Sequence, residues 1–337
     1  MKPRALVVRH AAYGDVVLAT TLFPYLKNDG FELHVLTGDR GWDILKHNPT
    51  IDRLIWYEAD SIPIDDLEDF YVNLSRDYQK IVVLTGSIEN ILLKSYPNAD
   101  YYWSLAKRRK HCGDKNYYEH TIRLGGYEPN GVRTGQLYFS GSQIAYAKNF
   151  RKKYRDKFII LWALSGSGIH KSYLHYSTVV DRILREIPDA LIVEAGIPAE
   201  WQIAYQKPHS RVIPLLMEER PIMDTFALTS VADLVVGPET GILNAAGCFD
   251  TPKICLLTHS SKKNLTATWK NDYSLQALCA CSPCHQLHKV YAAWTGVCPA
   301  EKEILEKYGK HYPACVGEGF PPDIIVNQIR KVYDASR

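Results

Sequence analysis

Val235-Val-Gly-Pro-Glu-Thr-Gly-Ile-Leu-Asn-Ala-Ala246 is the stretch on which the fold turns. A short apolar run ends at Gly237-Pro238, passes through Glu239-Thr240-Gly241 and becomes apolar again at helical spacing. That is the pattern of a strand, a tight turn and a helix start. Amide N–H groups at a helix start lack intrahelical acceptors, and the aligned peptide dipoles add partial positive charge. Such a turn favours an anion, a diphosphate for example. A second segment of this kind, Ala5-Leu-Val-Val-Arg-His-Ala-Ala-Tyr-Gly-Asp-Val-Val-Leu-Ala19, lies near the beginning. Two such sites so far apart predict an α/β chain with two similar domains facing a central cleft.

Outward from these segments, short apolar runs alternate with helical ones. Residues 6–8, 33–36, 54–57 and 80–84 read as buried parallel strands of a first domain, with a helix over 16–28. Residues 101–135, basic in part and rich in tyrosine, read as helix and loop at its rim. A polar, basic helix over 142–156 leads out of it. Strands follow at 158–163, 191–194, 211–214, 233–236 and 253–257, with helices expected over 177–187, 199–207, 223–230 and 241–248. A last amphipathic helix, 322–334, opens with Pro and Asp. The expected division is a first domain over 1–150 and a second over 151–322 with a cysteine-rich insertion at 279–317. The tail, 323–337, is expected to pack back toward the first domain.

The 337 residues suffice for two ordinary α/β domains, and 46% apolar content suffices for packed cores. Forty basic residues against 37 acidic ones leave +3, too balanced to indicate nucleic acid. No apolar run is long enough to span a bilayer. The first residues lack a signal-peptide core and read as a buried strand, so a cytoplasmic location is expected.

The order of motifs resembles glycosyltransferase family 9, the ADP-heptose:lipopolysaccharide heptosyltransferases of GT-B architecture. The resemblance spans most of the chain. It rests on Arg9 with Gly14-Asp15, on Leu164-Ser-Gly-Ser-Gly-Ile-His-Lys171, on Gly196-Ile-Pro-Ala-Glu200 and on the segment quoted first. It implies an inverting transfer from a nucleotide sugar with no catalytic cofactor. Asp15 would be the general base that takes the acceptor proton as the oxygen attacks the anomeric carbon. Charging the first turn of a helix is the other reading of Asp15. Lys171 would neutralise the donor diphosphate, with Ser167 and Gly168 letting backbone N–H groups approach it. A solvated lysine on a surface turn is the alternative. Glu200 would hold the ribose hydroxyls, or merely complement a helix start. Glu239 would hold sugar hydroxyls, with Thr240 and Gly241 at the phosphate. Here Glu stands where Asp is usual in the family, and Asn244 where His is usual. One methylene is worth roughly 1–3 kcal/mol of discrimination, enough to change the sugar selected. The acceptor side would use Arg9 and the basic run Lys107, Arg108 and Arg109, which is also readable as a solvated face.

Cys281-Ser-Pro-Cys284 precedes Cys298 and Cys315, with gaps of two, thirteen and sixteen residues, and Cys279 stands just ahead. Two close cysteines and two later ones fit a closed, structural tetrahedral site for iron or zinc. His285 and His288 are alternative ligands, and reduced, unligated thiols the other reading. A similar four-cysteine motif in autotransporter heptosyltransferases implies structural iron.

The expectation is therefore a glycosyltransferase moving a heptose or related sugar from a nucleotide sugar, ADP-linked by the resemblance. The acceptor would be a glycan, lipid or protein hydroxyl, met at the inner face of the membrane if lipid-linked. A non-catalytic nucleotide-sugar-binding protein on the same fold is the alternative. A dehydrogenase is disfavoured, because Gly14 stands alone after the first strand.

Overall fold

The computed structural model describes residues 2–10, 12–57, 63–84, 115–131, 133–197, 200, 204–216, 220–284 and 312–337. The chain divides into two compact units, Met1–Tyr102 with Asn116–Ser140, and Trp103–Lys115 with Gly141–Arg337.

The first unit holds strands β1 (Arg4–Val8), β2 (Glu32–Thr37), β3 (Arg53–Trp56) and β4 (Lys80–Val83), and helices α1 (Tyr13–Ala19), α2 (Phe23–Asn28), α3 (Asp39–Leu45), α4 (Leu67–Ser75) and α5 (Tyr117–Leu124). The sheet order is β3-β2-β1-β4, every pair parallel. Leu6, Val8 and Leu36 are buried on one face, under Phe70 and Leu74 of α4. The single helix expected over 16–28 is divided. A 3-10 turn at Thr20–Leu22 separates α1 from α2, and Pro24 occupies the first turn of α2. Pro lacks the N–H a continuous helix needs, but suits a new start. Asn116 caps α5, its side-chain oxygen accepting from Tyr118 N and Glu119 N.

The second unit holds α6 (Gly141–Lys153), β5 (Phe158–Ala163), α7 (Tyr176–Glu186), β6 (Ala190–Gly196), β7 (Val212–Leu216), α8 (Ile222–Thr229), β8 (Leu234–Pro238), α9 (Gly241–Ala246), β9 (Lys253–Leu257), β10 (Leu275–Gln276) and α10 (Pro322–Ala335). Its parallel sheet runs β10-β9-β8-β5-β6-β7. Strands β5, β6 and β8 are buried along their whole length, as strands covered on both faces must be.

One boundary falls elsewhere than expected. Helix α6 belongs to the second unit, because Arg151 pairs with Asp233 at 2.6 Å and Asp233 also accepts from Ile159 N of β5. The last helix packs into the core of the second unit. Ile325, Val326, Ile329 and Val332, spaced to share one helical face, lie in the same core as Phe158, Val179 and Ile183. Tyr333 Oη donates to Asp189 at 2.8 Å. The helix expected over 199–207 does not extend over its last four residues. Residues 204–207 are irregular, because Tyr205 N donates instead to the buried Glu194 carboxylate at 2.6 Å.

Among the described residues no helix is long and apolar enough to cross a membrane.

Candidate functional site

In each sheet one strand has its chain successor on one side and a later strand on the other. In the first unit it is β1, between β2 and β4; in the second it is β5, between β6 and β8. The loops leaving the carboxyl ends of the flanking strands part at such a point, which is where open α/β sheets bind ligands.

In the second unit, three segments expected from the sequence meet along this edge, with a fourth that was not. The turn after β5 carries Ser165, Gly166, Ser167, Gly168 and Lys171; a 3-10 turn at Ile169–Lys171 is closed by Lys171 N donating to Gly168 O at 2.9 Å. Lys171 Nζ lies 3.4 Å from Ser167 Oγ. Gly166 is wedged against the turn after β8: a Cβ there would stand 2.7 Å from Lys171 Cδ and 2.9 Å from Thr240 Cγ2. Gly237, the next-to-last residue of β8, has φ 155°, and a Cβ there would collide with Ala163, so only glycine fits. Thr240 is the N-cap of α9 with extended backbone. Its Oγ1 is buried with no hydrogen-bond partner among the described residues. A buried hydroxyl left without a partner costs free energy unless a ligand or water completes it.

Glu200 crosses from the end of β6 to the turn after β5. Its carboxylate accepts from Ser165 Oγ and, at 3.1 Å, from Ile197 N. Gly196 leaves the space for it, since a Cβ there would stand 2.5 Å from Glu200 Oε2.

Glu239, expected to face sugar hydroxyls, faces inward and is 4% exposed. Its Oε2 accepts from Thr258 N at 3.1 Å, Thr258 Oγ1 at 2.9 Å and His259 N at 3.1 Å, and Oε1 accepts from Ser260 N at 2.8 Å. His259 Nδ1 lies 2.7 Å from Oε2. Burial pushes the Glu239 carboxyl up. The charge and hydrogen bond of His259, the charge of Lys171 and the Thr258 N–H outweigh it and hold the group at about 2. The His259 ring meets His170 edge-on, centroids 5.2 Å apart. Thus His259, Thr258 and His170 join the site, none of them singled out from the sequence. The one available signal was the strand-to-turn step Leu257-Thr-His-Ser260, which repeats the pattern of the other edge loops.

In the first unit, Asp15 lies in the first turn of α1, whose N-cap is Ala12. Its side chain is 26% exposed and pairs with the buried Arg9, Nη2 to Oδ2 2.8 Å. Arg9 Nη1 donates to Leu84 O, beyond β4, and Arg9 O accepts from Thr37 Oγ1 at the end of β2. The Arg9 guanidinium is therefore directed at Asp15 and Leu84, and at 7% residual exposure it is not displayed for an acceptor. Lys107, Arg108 and Arg109 lie outside the described residues.

The cysteine motif is described in part. Cys281 and Cys284 bracket a turn after β10, Cys279 Sγ is 3.8 Å from Cys281 Sγ, and Cys315 is buried in a 3-10 turn. Cys298, His285 and His288 lie outside the described residues. Among the described residues no three His, Cys, Asp or Glu side chains form a group able to hold a metal ion.

No protein-family model matches the sequence, and no curated protein matches it. Solved structures match over nearly the whole chain. A glycosyl transferase family 9 structure from Veillonella parvula is 13% identical, covers 98% of this chain and 97% of its own, and superposes with a TM-score of 0.67. The E. coli ADP-heptose lipopolysaccharide heptosyltransferase II is 14% identical, covers 98% of each chain, and gives 0.65. The dodecameric iron-containing glycosyltransferase TibC of enterotoxigenic E. coli is 10% identical and covers 100% of this chain and 77% of its own, with 0.59. At such identities the likeness is one of fold: two parallel-sheet α/β units of GT-B type.

Proposed function

We propose that this chain is an inverting glycosyltransferase that moves a heptose or related sugar from an ADP-linked donor to a hydroxyl of a glycan, lipid or protein. One observation carries the reading. At the switch point of the second sheet a buried Thr240 hydroxyl, without a partner among the described residues, lies beside Gly166 and Lys171. A glycine-lined turn, a cation and an unsatisfied hydroxyl suit a diphosphate. A neighbour in fold acts with ADP-heptose, by its name.

On this reading Lys171, Ser167, Gly168, Thr240 and Gly241 hold the diphosphate, and Glu200 takes the ribose hydroxyls. Asp15 accepts the proton of the acceptor hydroxyl as that oxygen bonds to the anomeric carbon. The bond from that carbon to the diphosphate breaks, and the electron pair leaves with the phosphate oxygen. Lys171 stabilises the charge that grows there. The pairing with Arg9 keeps the Asp15 carboxylate fixed in direction, which favours proton transfer along one line.

A thermal-shift series across ADP-, GDP-, UDP- and CDP-sugars tests the donor site. A ligand at 100 times its dissociation constant adds roughly 2.7 kcal/mol to native stability. The ADP-sugars should give the largest shift, and a flat response to all four series would refute the reading. Asp15→Asn should keep the shift and lose turnover by orders of magnitude. If wild type binds a donor yet turns nothing over with any acceptor offered, the chain is a binding protein.

The thiolates Cys281, Cys284, Cys298 and Cys315 are proposed as ligands of one structural iron or zinc ion. Sulfur donors suit both metals, and four of them leave no open position for chemistry. The ion would cross-link the turn after β10 to the turn before α10. Elemental analysis of protein purified without a metal-affinity column should find about one such ion per chain, and metal-free, fully folded protein would remove the assignment.

A further inference from the structure

Glu239 has little left to offer a sugar. Its two oxygens already receive four hydrogen bonds from the segment after β9, and a fifth contact comes from the His259 ring. A carboxylate has about four lone-pair directions, two on each oxygen; Oε2 is fully occupied from inside the protein, Oε1 already accepts from Ser260 N, and the residue is only 4% exposed. The register explains how. Pro238 pairs with Leu256 across the β8–β9 ladder, so Glu239 leaves its strand level with Leu257 and points at the amides that follow. Three successive N–H groups, of Thr258, His259 and Ser260, converge on it. A carboxylate one methylene shorter would fall about 1.5 Å short of them.

The same contact fixes the donor site from behind. His259, held against Glu239, meets His170 edge-on. His170 directly precedes Lys171 within the turn closed by Lys171 N and Gly168 O. Thr240, the next residue after Glu239, abuts Gly166 of that turn. The loops after β5, β8 and β9 are thus joined through one buried carboxylate and one imidazole.

We propose that Glu239 and His259 are positioning residues that assemble the diphosphate-binding end of the site, and that Glu239 makes no contact with the transferred sugar. This inference rests on the donor site described above but assigns Glu239 differently from a hydroxyl ligand. It follows that removing the carboxylate weakens binding of a nucleoside diphosphate that carries no sugar at all.

The test is titration calorimetry with ADP, GDP, UDP and CDP, well below the melting temperature, on wild type, Glu239→Gln, Glu239→Asp and His259→Asn. For the diphosphate that wild type binds best, Glu239→Gln is expected to lose tenfold or more in affinity. His259→Asn should lose several-fold, and the double variant less than the product of the two, because both act through one loop. Glu239→Asp restores the charge but not the reach, and should not rescue binding. Equal affinity of wild type and Glu239→Gln for the sugar-free diphosphate would overturn the proposal, as would full rescue by Asp. If Glu239→Gln does not fold, His259→Asn, which leaves Glu239 and the three amides in place, decides by the same readout. Wild type that binds none of the four diphosphates would remove the donor site itself, a result distinct from equal binding by wild type and variant.

Discussion

Arg9 Nη2 lies 2.8 Å from Asp15 Oδ2, and Nη1 of the same guanidinium donates to Leu84 O. One buried cation thus joins the turn after β1 to the chain leaving β4, across the switch point of the first sheet. The proposed base is held by a side chain from its own strand end, six residues back in sequence.

Replacing Arg9 by Met strips both contacts. An unpaired Leu84 carbonyl and an unbridged Asp15 should cost roughly 1–3 kcal/mol, read as a lower urea midpoint. If Asp15 acts as base, kcat should also fall well beyond any change in donor affinity. Arg9→Lys, lacking the two-pronged fork, should restore stability better than rate. A variant with wild-type kcat would show that the pairing does not serve catalysis.

Gly166→Ala places a methyl between Lys171 and Thr240. The lysine stem is flexible and can move aside, whereas Thr240 is fixed by α9. The diphosphate should bind about tenfold more weakly, about 1.4 kcal/mol, while the melting temperature changes by only a few degrees. Unchanged affinity in calorimetry would mean that this turn is not the phosphate site.

Glu239 gives the second unit an acid-sensitive term. Its carboxyl is held at about 2, against 4.5 for the free group. A depressed carboxyl contributes stability that is fully present above about 4.5 and is lost as pH falls toward 2. The full term is roughly 3 kcal/mol, from 1.36 kcal/mol per pK unit. Denaturant unfolding should show wild type losing more stability than Glu239→Gln between pH 5 and pH 3. Parallel pH dependences would contradict the inward pairing.

Lys253 adds a second contribution that also rises with pH, on the alkaline side. It is fully buried and donates to Phe249 O and Lys270 O at 2.8 Å each. Burial lowers its pKa from 10.5 to about 8. Between those values the unfolded chain holds a proton that the folded chain has released, so this residue's contribution to stability rises with pH from about 8 to 10.5. Measured against Lys253→Met, wild type should gain relative stability from pH 8 to pH 10, and a flat difference would exclude the shift.

Most strands were legible because parallel strands covered on both faces must be continuously apolar. The runs at 158–163 and 253–257 coincide with β5 and β9. Legibility ends where a side chain borrows a partner from a distant element. Tyr205 reads as helical but gives its N–H to Glu194, and no local pattern announces that. Arg9 reads as a free cation because its partner carbonyl, Leu84 O, lies 75 residues away. Glu239 stands in a turn that reads as a ligand site, yet the β8–β9 register brings it to the amides of 258–260. The family resemblance located the turn, and the direction of its carboxylate required the neighbouring strand.

The packing of α10 sets an order on the birth of the protein. Every segment of the first unit has left the ribosome once Ser140 emerges, so that unit can fold while translation continues. The second cannot seal its interior until Val332 is made, since that residue and Ile325, Val326 and Ile329 fill it. Until then its strands wait with a bare apolar flank, and a ribosome that stalls before this helix would release a half-finished lobe for chaperones to guard.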